Sequence, residues 1–325
     1  MKISALNPVP LMVHGLMPGA EECNMETSIF ECAPGIFSGK QEDECREILK
    51  PMIEAHKPDY VIFEGYQPTA FFALMNLCKE KGIGSIYWAI EDPVLYDYTI
   101  PFVIKADFAF TTAVECIDKY RERSLKVDLL TFACNPKYHK TGHYKEEYAL
   151  DIALQASYYN QPSRIRGYDI VLDPALQGDY SINIWGAYWE TELGKQRLGQ
   201  KHNMFKGYFP NHDLPDLCAS AKIILGVQCD DTSLTQTSMR PYEVLGCRGF
   251  HLTQRTFATE AIFKDGEHLV TAGTAAEASE KIKFYLENES ERLRIANSGQ
   301  EYVYANHTYE RRVREVMLPR LLGGI

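Results

Sequence analysis

The chain has 325 residues, 45% hydrophobic and 24% charged, and its 34 basic against 44 acidic side chains leave a formal net charge of -10. That is enough apolar material for folded cores, so disorder, fibres and coiled coils are excluded, and the length suggests two domains. The acidic balance supplies no clustered Lys and Arg for a nucleic-acid backbone, and no run approaches the ~18 apolar residues that cross a bilayer. Neither nucleic acid nor a membrane is an expected partner.

In chain order, MKISALNPVP carries one Lys and a Pro-interrupted apolar run, which is neither a signal nor a transit peptide, so a cytoplasmic protein is expected. A first strand is expected ahead of VHGLMPG. DECREILKPMIEAH (43–56) carries Ile48, Leu49, Met52 and Ile53 on one helical face, and TAFFALMNLCKEKG (69–82) ends in basic residues and a Gly, a helix stop. YVIFEG (60–65), SIYWAI (85–90), FAFTTA (108–113) and DLLTFA (128–133) are apolar runs of strand length, as in strands covered on both faces. NPKYHKTGHYKEEY (135–148), polar and basic without apolar periodicity, reads as an interdomain linker. Further strands are expected at 150–157, 169–176, 180–186, 205–209, 222–228, 249–254 and 268–273, then a helical tail over 275–320 interrupted near Asn297 to Gly299. Strands alternating with helices predict an α/β chain of two doubly wound, Rossmann-like domains framing a cleft, with ligands at the carboxyl ends of the strands.

Cofactor fingerprints fail position by position. Gly35 to Gln41 is one residue short of a phosphate loop and has Gln where a magnesium-binding hydroxyl belongs, and Gly82-Ile-Gly84 precedes a strand instead of following one. H-E-x-x-H, G-x-S-x-G and D-x-D are all missing, and Asp230-Asp231 suits a turn or helix cap better than a metal. The nine cysteines contain no C-x-x-C pair and read as reduced, buried thiols; Cys23, Cys32 and Cys45 match no compact zinc module, so no metal site is expected. The richest segment is TSLTQTSMRPYEVLGCRG (232–249), a hydroxyl-rich loop entering a helix. Arg240 and Glu243, at i and i+3, read either as a surface ion pair or as a nucleotide contact in which helix N–H groups meet phosphate and Glu243 meets a ribose.

The run RPYEVLGCRGFHLT, then IFKDGEHLVTAG, then KIKFYLENESERLRIANSGQEYVYANHTYERR resembles the C-terminal domain of CgeB-type spore-maturation proteins, a branch of the glycosyltransferase group 1 superfamily. WAIEDPVLYD (88–97) and FTTAVECIDKYRE (110–122) look like that family's N-terminal half. The resemblance implies a GT-B architecture: an acceptor domain over 1–140, a nucleotide-sugar donor domain over 141–305, and a final helix over 306–325 crossing back. It implies transfer from a nucleotide-diphosphate sugar, UDP-linked and by a retaining course, to a saccharide, protein or small-molecule acceptor, with no separate cofactor. Two rivals share the implied fold: a UDP-sugar 2-epimerase, and a non-catalytic binding protein of the spore surface.

Carried over residue by residue, Glu243 matches the second glutamate of the superfamily's E-x7-E motif, which holds the donor ribose, while Thr235 stands where the first glutamate belongs. Ser157 and Tyr158, with Arg164 beyond, occupy the place of the loop that meets the diphosphate. Lys206, Gly207 and Tyr208 resemble the strand end that cradles the base, and Ser238 and Arg240 complete the donor set. Glycosyl transfer develops negative charge on the departing diphosphate, which positive groups such as Arg164, Arg240 and Lys206 suit without a metal. For a general base, Asp92 follows the SIYWAI strand, though Asp before Pro is equally a turn former, and His14 is either a base or an ordinary loop histidine. Trp185, Tyr188 and Trp189 fit either a sugar subsite or the core.

Overall fold

A computed structural model describes residues 1–33 and 35–323. The chain divides into two compact units, one formed by Met1–Thr131 with the segment from Tyr309 onward, the other by Phe132–Thr308.

The first unit is built on a six-stranded, wholly parallel sheet of β1 (Lys2–Ala5), β2 (Glu26–Ile29), β3 (Tyr60–Glu64), β4 (Gly84–Ala89), β5 (Phe108–Thr111) and β6 (Val127–Leu129), in the order β2-β1-β3-β4-β5-β6. The helix Glu42–His56 starts at a capping box, Gln41 N–H donating to Glu44 with three acids in the first turn, and the helix Pro68–Lys81 stops at Gly82 in the left-handed conformation. Phe63, Phe71, Tyr87 and Phe102 interlock in the core at ring separations of 4.8 to 6.0 Å. The returning segment packs within this unit: Gly15 and Gly19 lie so close to Tyr309 that a Cβ at either would sit 2.7 Å from it.

The second unit carries a five-stranded parallel sheet of β7 (Ile152–Gln155), β8 (Ile182–Trp185), β9 (Ile223–Gly226), β10 (His251–Gln254) and β11 (Val270–Ala272), ordered β11-β10-β9-β7-β8. The chain steps from β7 outward to β8 and then returns to the other side of β7 to form β9. The reversal leaves a crevice over the carboxyl ends of β7 and β9, the place where open α/β sheets bind ligands.

Four expectations are corrected. The strand expected at 169–176 is helical, part of a run over 162–177; Tyr168, Val171, Leu172 and Ala175 are buried at helical spacing, and Arg197 pairs with Asp169 and Asp173 one turn apart. The segment at 205–209 contributes only a bridge between Phe205 and Ile184. The helix Glu289–Asn306 runs unbroken through Asn297 to Gly299, because Gly299 permits close packing: a Cβ there would meet the His268 carbonyl at 2.4 Å. The expected linker is built into the second unit, so the division falls at Thr131 and not at 140. Asn135 and His139 are buried, Asn135 N–H donates to His139 Nδ1 at 3.0 Å, and Cys134 N–H donates to the His307 carbonyl at 2.9 Å.

Candidate functional site in the second unit

Polar side chains gather at the carboxyl ends of β7, β9 and β10. Gln155 ends β7, Gln228 follows β9, and Gln254 ends β10. They form a scaffold: Gln228 accepts from Ser238 N–H at 2.8 Å and donates to Thr253 Oγ1 at 2.7 Å, while Gln254 accepts from Gln228 N–H at 3.2 Å and donates to the Ser163 carbonyl at 3.4 Å. This fixes the loop 230–239 against the sheet. Asp230 shapes the loop's start by accepting from Thr232 and Ser233 N–H at 2.7 and 2.6 Å, and Asp231 ties it to Arg166 and to Ser163 Oγ. The adjacent acids are turn and tether, as their sequence context suggested.

Inside this frame several buried polar atoms have no hydrogen-bond partner among the described residues: Arg164 Nε, Gln155 Oε1, Asn211 Nδ2, Gln236 Oε1, Thr237 Oγ1 and Ser238 Oγ. Buried polar atoms are nearly always paired, so a cluster of orphans on one sheet edge marks a place that a polar ligand completes. Two guanidinium groups belong to it. Arg240 donates to the Gln155 carbonyl at 3.3 Å and to Glu243, and Arg164 donates to Cys229 Sγ at 3.0 Å while lying over the Tyr159 ring. Burial pulls Arg240 down to about 10, the like charge of Arg164 acting in the same sense, and it stays protonated at neutral pH. Two cations sharing a buried edge suit an anion.

The pair of Arg240 and Glu243 is no surface ion pair. Glu243 is 3% exposed on the helix Arg240–Gly246, held between Arg240 and His139, whose Nε2 stands 3.6 Å from Glu243 Oε1. His139 was not a candidate from sequence, because it fell in the apparent linker.

The remaining candidates separate. Ser157 Oγ accepts from Ala187 N–H at 3.2 Å, joining the loops after β7 and β8. Tyr158 is corrected to a core residue: it stacks on Tyr168 at 5.5 Å and packs on Trp189. Trp185 and Trp189 are core as well, Trp189 donating to the Ala156 carbonyl at 2.6 Å, whereas Tyr188 is half exposed beside Tyr159. Lys206 is exposed and donates to the Asn203 carbonyl at 2.9 Å, Gly207 has φ +81°, and Tyr208 beyond it is 80% exposed. Thr235 is half-buried in the loop, its N–H reaching Ser233 Oγ at 3.4 Å.

Asp92 and His14 belong to the first unit. Asp92 is corrected from base to anchor: it is fully buried and accepts from Thr111, Tyr120 and Thr99 hydroxyls at 2.6, 2.9 and 3.1 Å, leaving no face for a substrate. Burial raises its carboxyl above the usual range, and the three hydroxyls oppose that. His14 sits in the helical segment Leu11–Leu16, not in a loop. No group of three His, Cys, Asp or Glu able to hold a metal occurs among the described residues, and none of their helices is long and apolar enough to cross a membrane. None of the nine cysteines takes part in a disulfide among the described residues.

Residues 169–317 match the family model described as glycosyl transferase-like. No curated protein matches the sequence. Among solved structures, sucrose-phosphate synthase from Thermosynechococcus elongatus superposes with a TM-score of 0.70 at 11% identity, over 99% of both chains. Anabaena HepE in complex with UDP-glucose gives 0.68 at 11% identity, over 99% of this chain and 100% of that one. The chain has the GT-B fold. UDP-GlcNAc 2-epimerase from Neisseria meningitidis bound to UDP-GlcNAc, at 0.58 and 13% identity over the full length of both, shares it.

Proposed function

We propose that this GT-B chain is a glycosyltransferase whose second unit holds the nucleoside diphosphate of a sugar donor, UDP in the first instance. The observation that carries the reading is the set of orphaned buried polar atoms around Arg164 and Arg240 at the β7/β9 reversal. In the reading, the two guanidinium groups meet the diphosphate, Ser238 and Thr237 hydroxyls donate to it, and Glu243 accepts from the ribose hydroxyls. Tyr208, exposed at the end of the segment pairing with β8, packs on the base. Negative charge grows on the diphosphate as the anomeric bond breaks, and buried, preoriented cations lower that barrier without a metal. The solved relatives with UDP and UDP-glucose support the choice of base.

A thermal-shift screen against UDP, GDP, ADP, dTDP and CDP tests this, since a ligand bound only by the native state raises the melting temperature. A selective rise with UDP that survives EDTA is expected. No rise with any diphosphate at millimolar concentration contradicts the donor site, and a rise abolished by EDTA contradicts the metal-free arrangement.

A further inference from the structure

The segment between β6 and β7, a linker by its composition, delivers a histidine to Glu243. Asn135 to His139 form a tight turn: Tyr138 and His139 N–H groups donate to the Asn135 carbonyl at 3.0 and 2.7 Å, and Lys137 N–H donates to Asn135 Oδ1 at 2.9 Å. The turn lies against the helix Arg240–Gly246. A Cβ at Gly246 would stand 3.0 Å from His139 Cβ and 3.2 Å from its carbonyl, so glycine is what lets the two backbones approach this closely. Tyr304, on the helix Glu289–Asn306, clamps the contact, its hydroxyl 2.8 Å from the His139 carbonyl and 3.1 Å from that of Gly246.

Within this turn the neutral imidazole has a single form. Its Nδ1 accepts from Asn135 N–H at 3.0 Å, and a ring nitrogen that accepts carries no proton. The proton therefore sits on Nε2, which faces Glu243 Oε1 at 3.6 Å, an attraction between the N–H dipole and the carboxylate rather than a closed hydrogen bond. Both side chains are buried, and Arg240 holds the other oxygen, Oε2. The carboxylate is thus gripped from two sides by groups that donate, while its remaining lone pairs stay available to a ligand. A histidine kept for packing alone would need no defined tautomer; here a backbone N–H is committed to deciding which nitrogen is the donor.

We propose that His139 is a positioning residue for the donor: its Nε2–H orients Glu243 to accept from the ribose hydroxyls, and the site in consequence takes ribonucleoside diphosphates over their 2′-deoxy forms. The proposal rests on the reading of Glu243 as the ribose contact. A buried acceptor fixed in place and left without its hydroxyl is penalised, and that is how a site built around a hydroxyl rejects the analogue lacking it.

The test is calorimetric titration of UDP and 2′-deoxy-UDP into wild type and two His139 variants. An Asn amide reaches the place of Nδ1 and a Gln amide the place of Nε2, so the two variants divide the roles of the ring. Wild type is expected to bind UDP about tenfold or more tightly than the deoxy form. His139→Gln, which keeps a donor toward Glu243, is expected to hold that ratio within about twofold, and His139→Asn, which keeps only the acceptor for Asn135 N–H, to cut it to about threefold or less. The reverse order, or equal ratios in the two variants, overturns the role of His139. Nitrogen NMR of the wild-type chain with labelled imidazoles reads the same claim without a substitution that could disturb folding. His139 is expected in the Nε2–H form, with a resonance that moves as UDP saturates the protein; the Nδ1–H form, or an unmoved resonance, overturns the proposal. The donor reading fails separately. Absence of UDP binding overturns that reading and this proposal with it, whereas UDP binding with no preference over the deoxy form in wild type overturns the ribose contact and the role of His139 and leaves the diphosphate contacts standing.

Discussion

Arg164 and Arg166 stand two positions apart and are indistinguishable in sequence, yet the fold gives them different work. Arg166 is committed to Asp231, whereas Arg164 faces the orphaned cluster. Arg164→Ala is therefore expected to weaken UDP binding by ~1–3 kcal/mol through loss of charge-assisted hydrogen bonds, with little change in melting temperature. Glu243→Ala is expected to weaken it by a similar ~1–3 kcal/mol, and calorimetry reads both. Asp92 gives the opposite pattern: Asp92→Ala strands the hydroxyls of Thr99, Thr111 and Tyr120 in the core, and urea denaturation is expected to show a loss of ~2–4 kcal/mol with UDP affinity unchanged. Glu243 and Arg240 were legible as candidates from their spacing at the end of a hydroxyl-rich loop. Asp92 was not resolvable, because Asp-Pro after a strand is written the same way whether the carboxylate faces a ligand or the core.

At the level of elements, strands and long helices were readable from apolar runs and helix stops. The misreading of 169–176 arose because buried residues at 168, 171, 172 and 175 compress into an apolar cluster of strand length. Polar composition made 135–148 look like a linker, although Asn135 and His139 are buried and His139 lies against Gly246, far along the chain. The loops after β7 and β8 depend on close backbone approach: Gly186 has φ +141°, and a Cβ there would lie 2.3 Å from the Ala156 carbonyl. Gly186→Ala is expected to cost ~2 kcal/mol or more, while Gly199→Ala, at φ +55° in open space, costs ~1 kcal/mol, a contrast that thermal melts resolve. The helix Ala275–Glu287 adds a pH dependence. Burial alone would raise Glu277, but Lys281, Gly273 N–H and Arg255 hold it down to about 2. A depressed acid stabilises the fold above its unfolded-state value, so stability of this unit is expected to fall as pH drops from about 5 toward 2. Glu277→Gln is expected to flatten that slope.

For the whole molecule, a likeness that spans essentially every residue at 11% identity explains why the architecture was legible and the chemistry less so. The β/α alternation fixes parallel sheets, and the reversal of strand order then dictates where ligands sit, whatever residues line those places. Which residues face the reversals depends on side-chain direction, and that is settled by packing. A nucleoside diphosphate is proposed to complete the orphaned cluster at the β7/β9 reversal. Calorimetric titration of UDP into wild type, Arg164→Ala and Arg166→Ala tests it most directly. Binding to wild type, weakened about fivefold or more in Arg164→Ala and less in Arg166→Ala, is the predicted result. No binding to wild type, or equal affinity in all three proteins, contradicts it.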